Sequence, residues 1–385
     1  MNKKYEYDSV MYIGRFQPAH NAHIETTIRA LGMARQVIIL VGSANQPRTI
    51  ENPWKWYERG EMIHASLPKE LRERVIILPI RDVMYNDSKW VRQVQEVVQP
   101  HINDEATNGI IGYSKDETSY YLKMFPQWKN IEVDNIDDLH ATDIRIALFE
   151  NEDFDKNIGI NLPKGIHDYL KSFMLTLEYE QLVREYEFQK VHDRMWDMDA
   201  MLDYFLEQEI GKYGGSETDA GLIVRDVVET LRKKYRVAPY KPYFNTVDVV
   251  VVQSGHVLLV RRRSEPGKGL YAMPGGYLMH KEWTMDGALR ELKEETGIKV
   301  PVPVLKGNIK DSHVFEHPNR SLRGRIITHT YGIELPAGEL PKVKGGDDAD
   351  KAKWVPLNVF EKMEDQMFED HYHIIKQMLA RLPEK

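Results

Sequence analysis

Between Gly276 and Ile298 the chain reads GYLMHKEWTMDGALRELKEETGI, and this stretch decides how its second half folds. Ala288 to Thr296 predicts a helix, and Gly297 follows it where a left-handed cap is needed. Glu291, Glu294 and Glu295 stand at i, i+3 and i+4, so their carboxylates crowd one helix face. Like charges that close raise one another's pKa and repel unless a cation lies among them. An all-oxygen cluster suits a hard divalent ion such as Mg2+. A solvated acidic helix face is the competing reading. It leaves unexplained the Met273-Pro274-Gly275-Gly276 turn ahead of the helix, Gly297 behind it and the buried-looking Leu292 within it.

The pattern G-x5-E-x7-R-E-L-x-E-E-x-G-I is filled by Gly276, Glu282, Arg290, Glu291, Leu292, Glu294, Glu295, Gly297 and Ile298. Its non-aliphatic positions coincide by chance on the order of once in a billion start sites at ordinary residue frequencies. It resembles the box of the Nudix hydrolases, which cleave nucleoside diphosphates linked to another group. The resemblance implies a metal held by Glu291, Glu294 and Glu295, often with the carbonyl of Gly275, and catalytic roles for Glu294 and Glu295. It also implies that Glu282 pairs with Arg290 as a brace that does not touch the metal, since such a site is only as exact as its supports.

Around the box, Asn245 to Val252 and His256 to Arg262 read as strands joined at Ser254-Gly255, a hairpin turn. Ile326 to Leu335 supplies a further strand, and Asp370 to Arg381 a final helix. This layout fits the mixed-sheet α/β/α sandwich of the Nudix fold, an α+β arrangement. Asp311 to Arg325 looks like the family's loop toward ADP-ribose, with Phe315 for the base and Arg320, Arg323 and Arg325 for phosphate or ribose. Each of these is equally readable as part of a solvated loop. Asp347 and Asp348, in a Gly-flanked loop, are candidates for a general base, with Asp348 preferred.

At 385 residues the chain should divide into two or three domains. Its 42% hydrophobic and 29% charged residues are ordinary for a globular protein. No apolar run of the length needed for a membrane span occurs, and Met1 to Asp8 is too polar for a signal peptide. With zero cysteines, disulfides and thiolate chemistry are excluded, which fits a cytoplasmic location. A net charge of −7 argues against a nucleic-acid surface. Local basic clusters such as Arg261-Arg262-Arg263 suit a small anionic substrate or are exposed strand ends.

A second chemistry-bearing stretch lies near the N-terminus. Ser9 to Ile13 reads as a buried strand, Ile24 to Ala34 as a helix and Gln36 to Val41 as the next strand, a β-α-β unit that predicts a parallel sheet. Between strand and helix runs GRFQPAHNAH, Gly14 to His23. Gly14 permits a close turn, and Pro18 removes a donor before the helix begins. His20 and His23 share a face at the helix N-terminus, where N–H groups and the dipole favour phosphate. Arg15 adds a cation. A zinc pair would want a third ligand and a helix-borne Glu that do not follow. Simple packing of both rings at the strand-helix junction is the other alternative.

This decapeptide resembles the G-x-F-x-P-x-H-x-x-H motif of nucleotidyltransferases on Rossmann-like folds, and GRFQP is similar to archaeal-type nicotinamide-mononucleotide (NMN) adenylyltransferases. The resemblance implies an ATP and mononucleotide site built from Gly14, Arg15, Phe16, His20, His23, Arg48, Trp90, Thr142 and Arg145, with His20, His23 and Arg145 catalytic. Thr142-Asp143-Ile144-Arg145 matches the family's second phosphate motif, Thr142 being a good N-cap residue and Arg145 a bidentate clamp. Arg48 is the candidate for the mononucleotide phosphate and Trp90 for the nicotinamide ring. Trp90 is also readable as core. Asp87 stands where the family often has Asn.

Both motifs in one chain resemble bifunctional proteins that fuse an NMN adenylyltransferase to a Nudix ADP-ribose pyrophosphatase. The expected division is a Rossmann-like nucleotidyltransferase domain with a parallel sheet at 1–173, a helical linker with an extra hairpin at 174–240 and a Nudix domain at 241–385. The implied substrates are ATP, NMN and ADP-ribose, with Mg2+ or Mn2+ as cofactor. Alternatives are a different nucleoside diphosphate for the Nudix domain, or an ADP-ribose sensor in its place. An apolar face on the added hairpin, Leu222 to Leu231, would need covering, locally or in a homo-oligomer.

Overall fold

The computed structural model describes residues 5–84, 86–112, 122–133, 140–150, 154, 162–196, several positions between 222 and 230, 243–345 and 349–382. The chain divides into two compact units, Met1–Arg184 with Glu361–Met367 and Glu185–Phe360 with Phe368–Lys385. Most of the expected 197–237 hairpin lies outside the described residues; the positions described there are helical.

The first unit is built on five parallel strands: β1 (Tyr7–Gly14), β2 (Ala34–Val41), β3 (Val75–Pro79), β4 (Asn108–Gly112) and β5 (Lys129–Glu132). Helix α1 (Asn21–Met33) crosses from β1 to β2, and α2 (Trp56–Ser66) from β2 to β3. Helix α3 (Asp87–Val98) follows β3, α4 (Ala141–Phe149) and α5 (Lys164–Phe173) follow β5, and α6 (Leu177–Trp196) begins in this unit and ends in the second. The near-continuous apolar run Val37 to Val41 is fully buried, as a central parallel strand requires. Strand order is β3-β2-β1-β4-β5. The order reverses between β1 and β4, so the crevice at the carboxyl end of β1 is the natural ligand position. Met11, Ile38, Leu40, Val94, Ile110 and Phe125 form the core on one side.

The second unit holds β6 (Phe244–Gln253), β7 (His256–Arg262), β8 (Tyr271–Ala272), β9 (Gly275–Tyr277), helix α7 (Thr284–Thr296) and α8 (Val302–Gly307). After them come β10 (Ile309–Phe315), β11 (Ile326–Glu334), β12 (Ala349–Pro356), the short α9 (Leu357–Phe360) and α10 (His371–Arg381). The sheet runs β10-β11-β6-β7-β12, with β9 on β6 and β8 on β7. It is mixed, because β11 and β6 are parallel while the other pairings are antiparallel. Ser254 and Gly255 both take positive φ, 46° and 72°, the combination a two-residue hairpin turn with the strands' own twist demands. Helix α7 lays Ala288, Leu289 and Leu292 against Val247, Val249 and Leu258. Its start is at Thr284, a turn before the expected Ala288, and Gly297 caps it at φ 58°, donating its N–H to the Lys293 carbonyl at 2.9 Å.

The loop expected over Asp311 to Arg325 begins later in the chain. Ile309–Phe315 is an edge strand paired with β11, and the loop begins only after it. Phe315 is 1% exposed. A ring buried in that way packs the unit.

Candidate active sites

In the first unit the decapeptide leaves β1 at Gly14, whose carbonyl accepts the Gly42 N–H at 2.8 Å, joining the carboxyl ends of β1 and β2. Phe16, at φ 51° and buried, sets its ring edge-on to His23 at 4.9 Å and to Tyr12 at 5.3 Å. His20 is the N-cap position of α1, and its backbone N–H donates to His23 Nδ1 at 3.2 Å. The two imidazoles lie 4.0 Å apart. Burial, then the neighbouring His20, holds the His23 pKa well below the usual histidine range. His23 is thus neutral, with its proton on Nε2, because Nδ1 is the acceptor.

Arg145 reaches the same strand-helix junction. It donates from one terminal nitrogen to the Gln17 carbonyl at 2.6 Å and from the other to Thr142 Oγ1 at 3.2 Å. Its pKa is lowered by burial and by the charge of Arg15. Two guanidiniums and an amino-terminal helix end therefore share one small region, an arrangement that an anion stabilises. Thr142 does not cap α4, since His140 holds that position; Thr142 serves as the acceptor that orients Arg145.

Arg48, the candidate for the mononucleotide phosphate, is held by an ion pair. Both its terminal nitrogens bond Glu58 at 2.7 Å, and one also bonds the Pro53 carbonyl at 2.6 Å. These contacts join the loop before α2 to the helix itself. Trp90 is partly buried against the core and 6.0 Å from the Phe125 ring. Sequence reading missed Arg59. Nearly fully buried, it donates to the carbonyls of Arg15, Gly42 at 2.7 Å and Ser43 at 3.3 Å, and fixes the loops after β1 and β2. Burial pulls its pKa down to about 10. An arginine inside a helix of ordinary polarity gave no local signal.

In the second unit a cavity of about 390 Å3 is lined by Asp248, Gly275, Gly276, Tyr277, Glu291 and Glu295, with Arg262, Arg290, Arg320, Arg323, Phe368 and His371 completing it. Arg290 Nε and a terminal nitrogen bond Glu282 at 2.8 and 3.0 Å. The other terminal nitrogen bonds Glu291 at 2.7 Å and Glu294 at 2.8 Å. Glu295 accepts the Gly275 N–H at 2.9 Å. Among the described residues no three acidic or histidine side chains are already gathered as a metal-ligand set. Arg290 occupies the space between Glu291 and Glu294, and Glu294 lies outside the cavity lining.

The donor chemistry still fits a divalent ion. Burial raises the pKa of Glu291, and burial, then Glu291 and Asp248, raise that of Glu295 to about 8. Desolvation therefore outweighs the mutual repulsion expected from spacing; a cation would relieve both. A Cβ on Gly276 would stand 2.6 Å from the Glu291 carboxylate, so only glycine leaves that carboxylate its place.

Asp248 was missed. It is 5% exposed, accepts from the Thr328 hydroxyl, and burial raises its pKa to about 6. A lone carboxylate inside the apolar run Val247 to Val252 was its sequence signal. Arg323 lines the cavity, with Glu369 at 3.2 Å and the Tyr277 ring at 5.9 Å. Arg325 does not line it and instead donates to the Glu316 carbonyl. Arg320 is held by Asp370 in a buried bidentate pair at 2.9 and 3.0 Å. Asp347 and Asp348 lie outside the described residues.

The two units thus define a nucleotidyltransferase on a Rossmann-like sheet followed by a Nudix unit. Family models agree: cytidylyltransferase-like over residues 11–102 and NUDIX domain over 242–378. The nicotinamide/nicotinic acid mononucleotide adenylyltransferase of Acinetobacter baylyi is 41% identical over 186 residues, 48% of this chain and 96% of the relative. The ADP-ribose pyrophosphatase of Methanocaldococcus jannaschii is 34% identical over 37% of this chain and 79% of its own length. The bifunctional NMN adenylyltransferase/ADP ribose pyrophosphatase of Francisella tularensis, solved with AMP and a manganese ion, superposes with a TM-score of 0.80 at 32% identity, covering 97% of this chain and 99% of that one. The chain belongs to this bifunctional family.

Proposed function

We propose that the chain carries out two reactions of NAD metabolism, one in each unit. In the first, the phosphate of NMN attacks the α-phosphorus of ATP; a new P–O bond forms, the α–β bridge breaks, and NAD and pyrophosphate result. No covalent enzyme intermediate is required, so catalysis is positioning and charge neutralisation. Arg15, Arg145 and the imidazoles of His20 and His23 at the start of α1 hold the triphosphate. Arg145 joined to the decapeptide at Gln17 is the observation that carries this reading.

In the second unit, water attacks a phosphorus of ADP-ribose and the P–O–P bridge breaks to give AMP and ribose 5-phosphate. A divalent ion, Mg2+ or Mn2+, held by Glu291, Glu294 and Glu295 would neutralise the diphosphate and acidify a bound water. Glu282 fixes Arg290, and Arg290 in turn steadies two of the glutamates. The partly buried carboxylates of Glu291 and Glu295 beside arginines in one cavity support this reading. We place both reactions in the cytoplasm, on the cysteine-free composition.

The test is to incubate the full chain with Mg2+ and either ATP plus NMN or ADP-ribose, and to separate products by chromatography. Glu294→Gln should abolish ADP-ribose cleavage and spare NAD synthesis, and His20→Ala should do the reverse. Loss of both activities in either variant would refute independent sites.

A further inference from the structure

His371 begins helix α10 and lines the cavity of the second unit, far in sequence from the box. Its Nδ1 accepts the Met273 N–H at 3.1 Å. An imidazole that accepts at Nδ1 carries its proton on Nε2 when neutral. Burial and the charges of Arg320, Arg262 and Arg323 hold its pKa well below the usual histidine range, so the ring is neutral. It is 6% exposed, and its Nε2–H has no partner among the described residues. The residue lines the cavity, so a ligand oxygen there is a ready acceptor for this N–H.

We propose that His371 is a fixed neutral hydrogen-bond donor to a phosphoryl oxygen of the nucleoside diphosphate, a substrate contact outside the Nudix box. The inference rests on reading this cavity as a diphosphate site. Arg262, Arg320 and Arg323 line the same cavity, Arg320 held by Asp370 and Arg323 by Glu369, and guanidiniums beside the N–H suit a phosphoryl oxygen as the shared acceptor. The ring is also held in place. Asp370, the preceding residue, is clamped by Arg320 at 2.9 and 3.0 Å, and the Phe368 ring packs on the imidazole at 5.6 Å. Tautomer, charge state and orientation are thus set before substrate arrives, as a preorganised donor requires.

Two substitutions separate this role from a structural one. In His371→Asn the amide oxygen can still accept from Met273, but nothing reaches the Nε2 position. In His371→Gln the amide nitrogen can reach it. The full chain is assayed for ADP-ribose hydrolysis with Mg2+, and ADP-ribose affinity is measured by calorimetry with Ca2+. NAD synthesis in the same samples reports folding. Expected is a fall in kcat/KM of about 30- to 100-fold for the Asn variant, and recovery to within about 5-fold of wild type for Gln. Equal activity and affinity in the Asn variant, or no recovery in Gln, would overturn the proposal. If wild type binds ADP-ribose without cleaving it, the hydrolase reading fails while the ranking of affinities still decides the role of His371. If wild type neither binds nor cleaves it, both fall.

Discussion

Glu295 and Gly275 are joined by a 2.9 Å hydrogen bond from the glycine N–H to the glutamate carboxylate, tying the turn before the box to the last turn of helix α7. The bond favours the carboxylate, yet burial dominates and the pKa rises to about 8. An unfolded chain ionises this group near 4.5, so folding favours its protonated form. Its contribution to stability is full below that value and is lost as pH rises toward 8. Without metal, the thermal midpoint of the second unit should therefore fall between about pH 5 and 8, and less so in Glu295→Gln. Calorimetry in EDTA checks this, and parallel pH curves for the two proteins would contradict it.

Glu282 never needs to touch substrate to matter. Its bidentate pair with Arg290 sets where that guanidinium stands between Glu291 and Glu294. Glu282→Gln should lower kcat/KM for ADP-ribose by about 10- to 100-fold, mostly recoverable at higher metal concentration. NAD synthesis should be unchanged. A metal titration of activity gives the answer.

Arg145 spans the decapeptide and its own helix with a forked contact that a lysine cannot copy. Arg145→Lys keeps the charge and loses the fork. We expect NAD synthesis to drop about 10- to 100-fold, with ADP-ribose hydrolysis intact. Wild-type synthesis in this variant would remove Arg145 from the triphosphate site.

Arg59 joins the loops after β1 and β2 through three carbonyl oxygens. Arg59→Met keeps much of the volume but strands those carbonyls in a buried setting. The first unit should lose on the order of 3 kcal/mol, with NAD synthesis failing at lower temperature than in wild type. Denaturant titration followed by adenylyl transfer activity would show whether the midpoint moves.

What was legible beforehand came from short-range spacing. The helix of the box, its left-handed cap at Gly297, the hairpin at Ser254-Gly255 and the β-α-β opening are each written within a few residues, because backbone geometry is local. The Glu282–Arg290 brace was also readable, its partners being eight apart and bridged by one turn and helix. Arg48 and Phe315 show the limit. Their residue types suggested a ligand, while the Glu58 ion pair of the first and the burial of the second come from residues that the local pattern does not show.

The sequence by itself determined that this chain carries two phosphate-handling motifs on two kinds of sheet, since motif spacing and strand periodicity need no knowledge of distant residues. Only the tertiary structure decided that Asp248 stands beneath the Gly275 turn and that Met273, 98 positions away, fixes the tautomer of His371. It also decided that burial, more than mutual repulsion, sets the glutamate pKa values. Desolvation and long-range hydrogen bonds depend on what the fold brings alongside a residue, and no local pattern encodes that company.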